Sequence, residues 1–125
     1  MADEKLAAII KKYSSYPEFL GIEIVAPDQA GAMDDTLLHL TARRGAVEDL
    51  EILLKSGGNV DVRGDLGNTP LHGAAMTGQL ETAKLLLRHG ANPAATNEFG
   101  QTPEKIAELG AHHHVVKLLK SVRQG

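Results

Sequence analysis

The chain contains six histidines, which are the side chains best suited to acid–base chemistry or metal binding because they titrate near neutral pH. Three of them, His112, His113 and His114, are consecutive. Consecutive residues on a helix point about 100° apart, so these rings cannot converge on one ion, whereas a pair spaced i and i+4 could. The sequence therefore predicts no metal site and no cofactor. A metal-dependent hydrolase that uses these histidines is the least favoured functional class, and a calorimetric zinc titration would test it.

Two other histidines, His39 and His72, invite a catalytic interpretation. No serine or carboxylate recurs with them at a spacing that would complete a triad, and the chain has no cysteine for a nucleophile or a disulfide. The adjacent Asp34 and Asp35 could act as general acid and base, but carboxylates at the head of a helix are better explained by attraction to its positive end. We therefore predict that the protein is not an enzyme.

Charge and hydropathy narrow the classes of partner. Thirteen basic and sixteen acidic residues give a net charge of −3 without a run of five or six like charges, which argues against binding to nucleic acid or to an anionic membrane surface. The N-terminus lacks the layout of a secretory signal, and no apolar run reaches the length of about 18 residues that a bilayer crossing needs. We expect a cytoplasmic monomer with no nucleic-acid or membrane partner.

The elements that must position these side chains follow a period of 33 residues. Agreement across several unrelated residue types at one interval identifies a repeat and predicts a stacked architecture. The recurring residues are Thr36, Thr69 and Thr102; His39 and His72; Gly45 and Gly78; Gly57 and Gly90; Asn59 and Asn92; and Gly67 and Gly100.

The middle unit shows what each residue type contributes. Thr69 can accept hydrogen bonds from the free amides of a first helical turn, and Pro70 suits the first helical position, where its missing N–H costs nothing. These two residues predict the start of a short helix with an apolar stripe. A second, outer helix is predicted over Leu80 to His89, with a C-cap at Gly90 and a loop or hairpin over residues 92–100.

The segment Gly67 to His72, together with Ala74-Ala75, Gly78, Leu86-Leu87 and Gly90-Ala91-Asn92, resembles the ankyrin repeat. The resemblance covers about residues 34–125. It implies an all-α ankyrin-repeat solenoid of paired antiparallel helices with hairpin loops, divided into repeats 34–63, 64–96 and 97–125. It also implies that His39 and His72 are structural hydrogen bonders that tie each inner helix to an adjacent hairpin.

The two terminal regions depart from the family pattern. A last repeat is expected to carry polar substitutions, because its outer face has no neighbouring repeat and contacts water. Residues 1–33 do not match the repeat and are predicted to form an N-terminal helical cap and connecting loop. In this cap Asp3 starts an amphipathic helix that ends before Pro17, an apolar stretch follows from Phe19 to Val25, and residues 26–33 form a loop. The departures within the repeats are Asp34, Leu37 and Thr41 in the first and Glu104, Lys105 and Glu108 in the last.

The resemblance implies a non-catalytic protein–protein interaction module that binds a partner protein through its loop tips and the concave face of its inner helices. Two more specific versions are open: an immunity-type inhibitor that occludes a cognate toxin or enzyme, and an adaptor that holds a complex together. Among the apolar positions, Leu66, Met76 and Phe99 are the most informative, because an apolar tip residue is either exposed or packed on a neighbouring loop. The positions implied for partner binding are Arg43, Arg44, Arg63, Asp65, Leu66, Asn68, Met76, Thr77, Glu98, Phe99, Gln101 and Leu109.

Overall fold

A computed structural model of the chain describes residues 2–19 and 35–124. All regular elements in these two segments are helices. Among the residues described, none of these helices combines the length and the apolar character that a bilayer crossing requires. The α-helices are α1 (Ala2–Tyr13), α2 (Leu37–Arg44), α3 (Val47–Lys55), α4 (Pro70–Thr77), α5 (Leu80–Arg88), α6 (Pro103–Leu109) and α7 (His113–Gln124), and short 3-10 helices cover Pro17–Phe19 and Asp65–Gly67.

Each inner helix begins directly after a threonine of the 33-residue period. The side-chain oxygen of Thr36 accepts from the amides of Leu38 and His39, while those of Thr69 and Thr102 accept from the amide three residues further on. These bonds satisfy donors that the first helical turn cannot pair, and loss of such a cap costs about 1 kcal/mol. The predicted starts of the inner helices are therefore confirmed, also for α2, which has no proline at its first position.

Each inner helix is followed by a residue in the left-handed conformation, and in the third repeat this residue is an alanine and not a glycine. Gly45 after α2 and Gly78 after α4 each have a φ of 72°, which glycine adopts without steric cost. In the third repeat the glycine comes one residue earlier, so that Gly110 has a φ of −86° and Ala111 takes the left-handed conformation with a φ of 58°. An alanine in this conformation is strained by about 1 kcal/mol.

The helices stack in two layers, with α2, α4 and α6 side by side in the inner layer and α3, α5 and α7 in the outer layer. The buried Thr82 on α5 donates a 2.9 Å hydrogen bond to the carbonyl of Ala42 and so ties the second repeat to the first. This arrangement confirms the predicted all-α solenoid of paired helices. The core between the layers is aliphatic, and its fully buried leucines are Leu37, Leu38, Leu50, Leu53, Leu71, Leu85, Leu86 and Leu119.

The N-terminal helix packs on the first repeat. α1 contacts α3, and Tyr13 at its end is buried together with Phe19 of the following 3-10 helix. The helix begins at Ala2, so Asp3 lies inside its first turn and the prediction that Asp3 caps it is wrong. The apolar stretch and loop predicted after Phe19, and the predicted role of Asp34, lie outside the described residues.

Candidate partner-binding surface

In each of the first two repeats, one buried histidine joins the inner helix to the hairpin that precedes the next inner helix. The Nδ1 atom of His39 accepts from the Thr36 amide at 3.0 Å, so its Nε2 carries the proton and donates to the Asn68 carbonyl at 2.8 Å. His72 repeats this geometry with the Thr69 amide and a 2.9 Å bond from Nε2 to the carbonyl of Gln101. The structural role that the family resemblance implied for both histidines is confirmed.

The chemistry of these histidines is fixed by their surroundings. Burial lowers the pKa of His39 and of His72, because the charged imidazolium would lose its hydration. Both ring nitrogens of each histidine are already engaged by the backbone. The two side chains therefore hold the fold together in their neutral form and are not available to a substrate.

The hairpins that follow α3 and α5 carry the loop tips. The amide of Gly64 donates to the Asn68 carbonyl at 2.8 Å, and the amide of Asn97 donates to the Gln101 carbonyl at 3.0 Å, so both hairpins close in the same way. A 3.0 Å bond from the Glu98 amide to the Leu66 carbonyl joins one hairpin to the next. The tips are consequently held at a fixed spacing, which suits them to bind a partner without a large loss of conformational freedom.

The carboxylate of Asp35 in the first repeat occupies space that Gly64 in the second repeat leaves because it has no side chain. Asp35 accepts from the Asp65 amide at 3.0 Å through Oδ1 and from the Arg43 guanidinium at 2.9 Å through Oδ2. A Cβ atom at Gly64 would lie 2.5 Å from Asp35 Oδ1, so only glycine leaves room for this carboxylate. The hydrogen bonds of Asp35 thus go to Asp65 and Arg43, while the Thr36 hydroxyl accepts from the first-turn amides of α2.

Four large apolar side chains of the predicted surface are exposed. Leu66 and Phe99 occupy hairpin tips with 47% and 67% of their surface exposed, and Met76 and Leu109 occupy the last turns of α4 and α6 with 46% and 64% exposed. The members of each pair are 33 residues apart, so they hold the same position in successive repeats. We call Leu66 and Phe99 the tip pair, and Met76 and Leu109 the helix pair.

The backbone at Leu66 is itself unusual. This leucine has a φ of 57°, a left-handed conformation that costs a side-chain-bearing residue about 1 kcal/mol. The same conformation continues into Gly67, which has a φ of 72°. The tip thus carries a strained and exposed leucine, and strain of this kind tends to collect at functional positions.

The predicted arginines are engaged within the protein. Arg43 is half-buried and bound to Asp35, and Arg44 lies over the ring of Tyr16 at 5.0 Å from its centre. The Arg63 guanidinium donates to two backbone carbonyls, those of Gly67 and Thr96. These arginines therefore stiffen the surface as well as charge it.

The remaining predicted positions are polar, and some of their side chains form hydrogen bonds within the protein. Asn68 and Gln101 are half-buried, and their side-chain oxygens accept from the amide group of Asn97 at 3.0 and 3.1 Å. Thr77 is exposed, although its hydroxyl donates to the Arg43 carbonyl at 2.6 Å. Two acidic residues directly precede the tip pair in sequence: the half-buried Asp65 comes before Leu66, and the exposed Glu98 comes before Phe99.

The histidine tract has a different use from metal binding. His112 lies against Gly78, and its Nε2 is 3.0 Å from the Met76 carbonyl, so it joins the third repeat to the second. His113 and His114 are exposed on α7. In the two segments that the structure describes, no group of three or more histidine, aspartate and glutamate side chains is placed to hold a metal ion.

A polar cluster at the N-terminal end was not predicted from the sequence. Asp49 on α3 accepts from the Tyr13 hydroxyl at 2.6 Å and from Lys12 Nζ at 2.8 Å. Burial opposes ionisation of Asp49, but the two hydrogen bonds outweigh it and lower the pKa of its carboxyl, and the bond to Asp49 raises the pKa of Lys12. The only sequence signal is that Asp49 precedes Thr82 by one period, at a position that contacts the preceding layer.

Comparison with known proteins agrees with this geometry. A family model described as "Ankyrin repeats (3 copies)" matches residues 7–97 and again residues 38–124. A search of curated proteins found no match. Repeats of this kind are generally protein–protein interaction modules and are typically not enzymes. The chain belongs to the ankyrin-repeat family.

Proposed function

We propose that this protein binds a partner protein through its hairpin tips and the concave side of its inner helices, with the tip pair and the helix pair as the main contacts. The observation that carries the proposal is the exposure of four large apolar side chains at repeated positions of one rigid framework. Burial of exposed leucine, methionine and phenylalanine side chains in an interface is favourable by roughly 25 cal/mol for each Å² of apolar surface removed from water.

The surroundings of these side chains support the same interpretation. The hairpin hydrogen bonds and the two histidine bridges already fix the backbone that carries them. A preorganised surface loses little entropy when a partner binds, so more of the contact energy appears as affinity. Charged side chains at Arg63 and Glu98 would form the polar rim that interfaces of this kind place around an apolar centre.

Two versions of this function give different outcomes. An immunity-type inhibitor binds one cognate toxin or enzyme tightly and abolishes its activity. An adaptor binds several partners, or binds one and leaves its activity intact. An activity assay of the identified partner, with and without this protein in excess, separates the two.

The test begins with the full chain as bait, followed by titration of the identified partner against purified variants. Replacing Phe99 and Leu109 by alanine removes one member of each pair, at sites where neither side chain supports the core. We expect the affinity to fall at least about tenfold, since each interface anchor contributes about 1 kcal/mol or more. Circular dichroism should remain unchanged.

A matched variant on the other side of the molecule controls for non-specific effects. Glu48 is exposed on the outer helix α3, and Glu48→Ala should leave the affinity unchanged. If the Phe99 and Leu109 double variant binds as tightly as the native protein, the partner docks elsewhere and the proposed surface is wrong. If no partner is inhibited or held in a complex by any version of the chain, the proposed function itself is wrong.

A further inference from the structure

Helix α7 has two sides with different surroundings. On one side Leu118 and Val122 meet Leu87 of α5. On the opposite side of the helix lies a shallow depression of about 490 Å³ that is bounded by residues of α7 itself. We call this side the end face, and it is lined by His113, Val116, Lys117, Lys120 and Ser121.

The 33-residue period shows what the end face corresponds to in the second repeat. Leu87 on α5 lies against Leu118 and Val122 of the next outer helix, and Lys120 holds the position equivalent to Leu87 on α7. Helix α3 contacts α5 in the same layer, as α5 contacts α7. The end face therefore continues the surface by which the outer helices stack, and its shape suits a further helix.

The chemistry of the end face differs from that of the equivalent surface on α5. His113 stands where α5 has Leu80, and Lys120 stands where it has Leu87. Val116 is half-buried and remains as an apolar floor between the polar side chains. The end face thus keeps the position of a helix-binding surface, while polar side chains replace most of its apolar ones.

The end face carries positive charge that the protein does not neutralise. Lys117 and Lys120 are exposed and form no ion pair with any residue of the described segments. On α5 the equivalent Lys84 lies 3.7 Å from Glu81, whereas α7 has His114 at the position of Glu81. The residues that line the depression include no carboxylate. Unpaired cations are therefore concentrated on this surface of a chain whose net charge is −3.

We propose that the end face is a second docking site, which receives an acidic amphipathic helix of a partner protein in the manner of a further outer helix. An aliphatic side chain of that helix would pack on Val116, and its carboxylates would pair with Lys117 and Lys120. Charge complementarity selects this occupant, because the unpaired cations attract an acidic helix and orient it over the depression. The end face includes neither the tip pair nor the helix pair, so the site does not depend on the function proposed above.

Two other occupants fit the end face less well. A second copy stacked end to end would bring α1 against it, and α1 exposes Lys5 and Lys11, so like charges would meet. A nucleic acid would find few cations for its phosphates and nothing in its backbone to pack on Val116. Both occupants are therefore treated as opposing outcomes.

The experiment uses the full chain, labelled with nitrogen-15, and a peptide of repeated Ala-Glu-Leu-Ala-Glu-Glu-Leu units, whose leucines share one side of a helix. We expect amide shifts in NMR spectra to concentrate in α7, and the affinity to fall at least about tenfold between low salt and about 0.5 M salt. Peptides with lysine in place of glutamate, or serine in place of leucine, should not produce these shifts. Shifts confined to the inner helices and hairpin tips, or equal shifts from the serine peptide, would overturn the proposal.

Paired variants separate this site from general electrostatic attraction. Lys117→Glu combined with Lys120→Glu should weaken peptide binding at least about tenfold without altering thermal melting, because both side chains are exposed. Lys5→Glu combined with Lys11→Glu makes the same change in charge on exposed positions of α1 and should retain binding. Equal losses in both variants would contradict a specific site on the end face.

Two further measurements test the opposing occupants. Shifts of the α7 amides that grow with protein concentration in the absence of peptide would assign the end face to a second copy of the chain. An oligouridine that shifts these amides when the peptide does not would assign it to nucleic acid. Either result would overturn the proposal.

Discussion

The two ends of the solenoid that the structure describes are built differently. At the N-terminal end α1 covers α3, and Asp49 binds Tyr13 and Lys12 of that helix. One period later, Thr82 binds the Ala42 carbonyl of the preceding repeat from the equivalent position. Helix α1 thus occupies the place of a preceding repeat, and the first repeat keeps a buried interior.

At the C-terminal end the sequence of the repeat itself has changed. Six residues of α4 are buried, but in α6 burial is limited to Pro103 and Ala107. Glu104 and Lys105 stand where the second repeat has the buried Leu71 and His72. One end is therefore closed by an additional helix and the other by polar substitution, which predicts that mutations will be costly at the first and tolerated at the second.

The largest loss of stability is expected from a mutation in the second repeat, which contacts both of the others. Leu86 on α5 is fully buried, and Leu86→Asp places an unpaired charge in the core, at a cost of at least about 4 kcal/mol. Because so few repeats share one core, we expect the whole array to unfold cooperatively, as measured by circular dichroism during urea and thermal denaturation. Leu109→Asp is the matched control at an exposed position of the last inner helix and should melt like the native protein. Native-like melting of Leu86→Asp would contradict the assignment of the core.

Acid should weaken the joints between repeats before it weakens the N-terminal cluster. The folded-state pKa values of His39 and His72 lie below 6.5, so the unfolded chain takes up protons first, and the free energy of unfolding falls as the pH drops below 6.5. The pKa of Asp49 lies below 3.8 in the folded state, so its contribution is complete above pH 3.8 and is lost as the pH falls through the folded value.

Urea denaturation at a series of pH values tests this order. Replacing both histidines by glutamine removes the groups that titrate, so the variant should lose less stability than the native protein between about pH 7 and pH 5. An equal loss in both proteins over this interval would show that the histidine joints are not the acid-sensitive element.

The N-terminal end should be sensitive to the loss of a single hydroxyl group. Tyr13→Phe removes the 2.6 Å hydrogen bond to Asp49 while it keeps the buried ring, and we expect the free energy of unfolding to fall by about 1.5 kcal/mol. Tyr16→Phe is the control, because its ring packs against Tyr13 at a tilt of 54° and lies under Arg44, and the phenylalanine ring should keep these contacts. Equal stability of the two variants in urea would mean that α1 does not depend on the Asp49 cluster.

How much of this could be predicted follows from what the period contains. The threonine caps and the two histidine bridges recur at 33 residues, so each of these positions predicted its own structure. For Leu66 and Phe99 the sequence left open whether they are exposed or packed on a neighbouring loop, and the structure exposes both. The partners of Asp49 could not be predicted, because they belong to a segment outside the period and its docking is decided by tertiary packing. The same holds for Asp35, whose carboxylate fills space left by a glycine in the next repeat.

The left-handed residue after each inner helix also distinguishes the last repeat from the first two. A Cβ atom at Gly45 would lie 2.4 Å from the side chain of Gln79, and one at Gly78 would lie 2.5 Å from that of His112, so a larger residue at either position has to displace a side chain of the following repeat. Ala111 holds this position in the last repeat and is exposed. The last repeat can therefore carry a side chain there, although the conformation strains it.

Ala111→Gly should accordingly stabilise the protein, by about 0.5 kcal/mol. Relief of the left-handed strain contributes about 1 kcal/mol, and the greater freedom of glycine in the unfolded chain offsets part of it. Gly78→Ala is the opposite change at the equivalent position and should destabilise by more than about 1 kcal/mol, because strain and the contact with His112 add. Urea midpoints of the two variants measure both effects. A loss of stability in Ala111→Gly would mean that Ala111 contributes contacts that outweigh its strain, and that the C-terminal end is less tolerant than its exposure indicates.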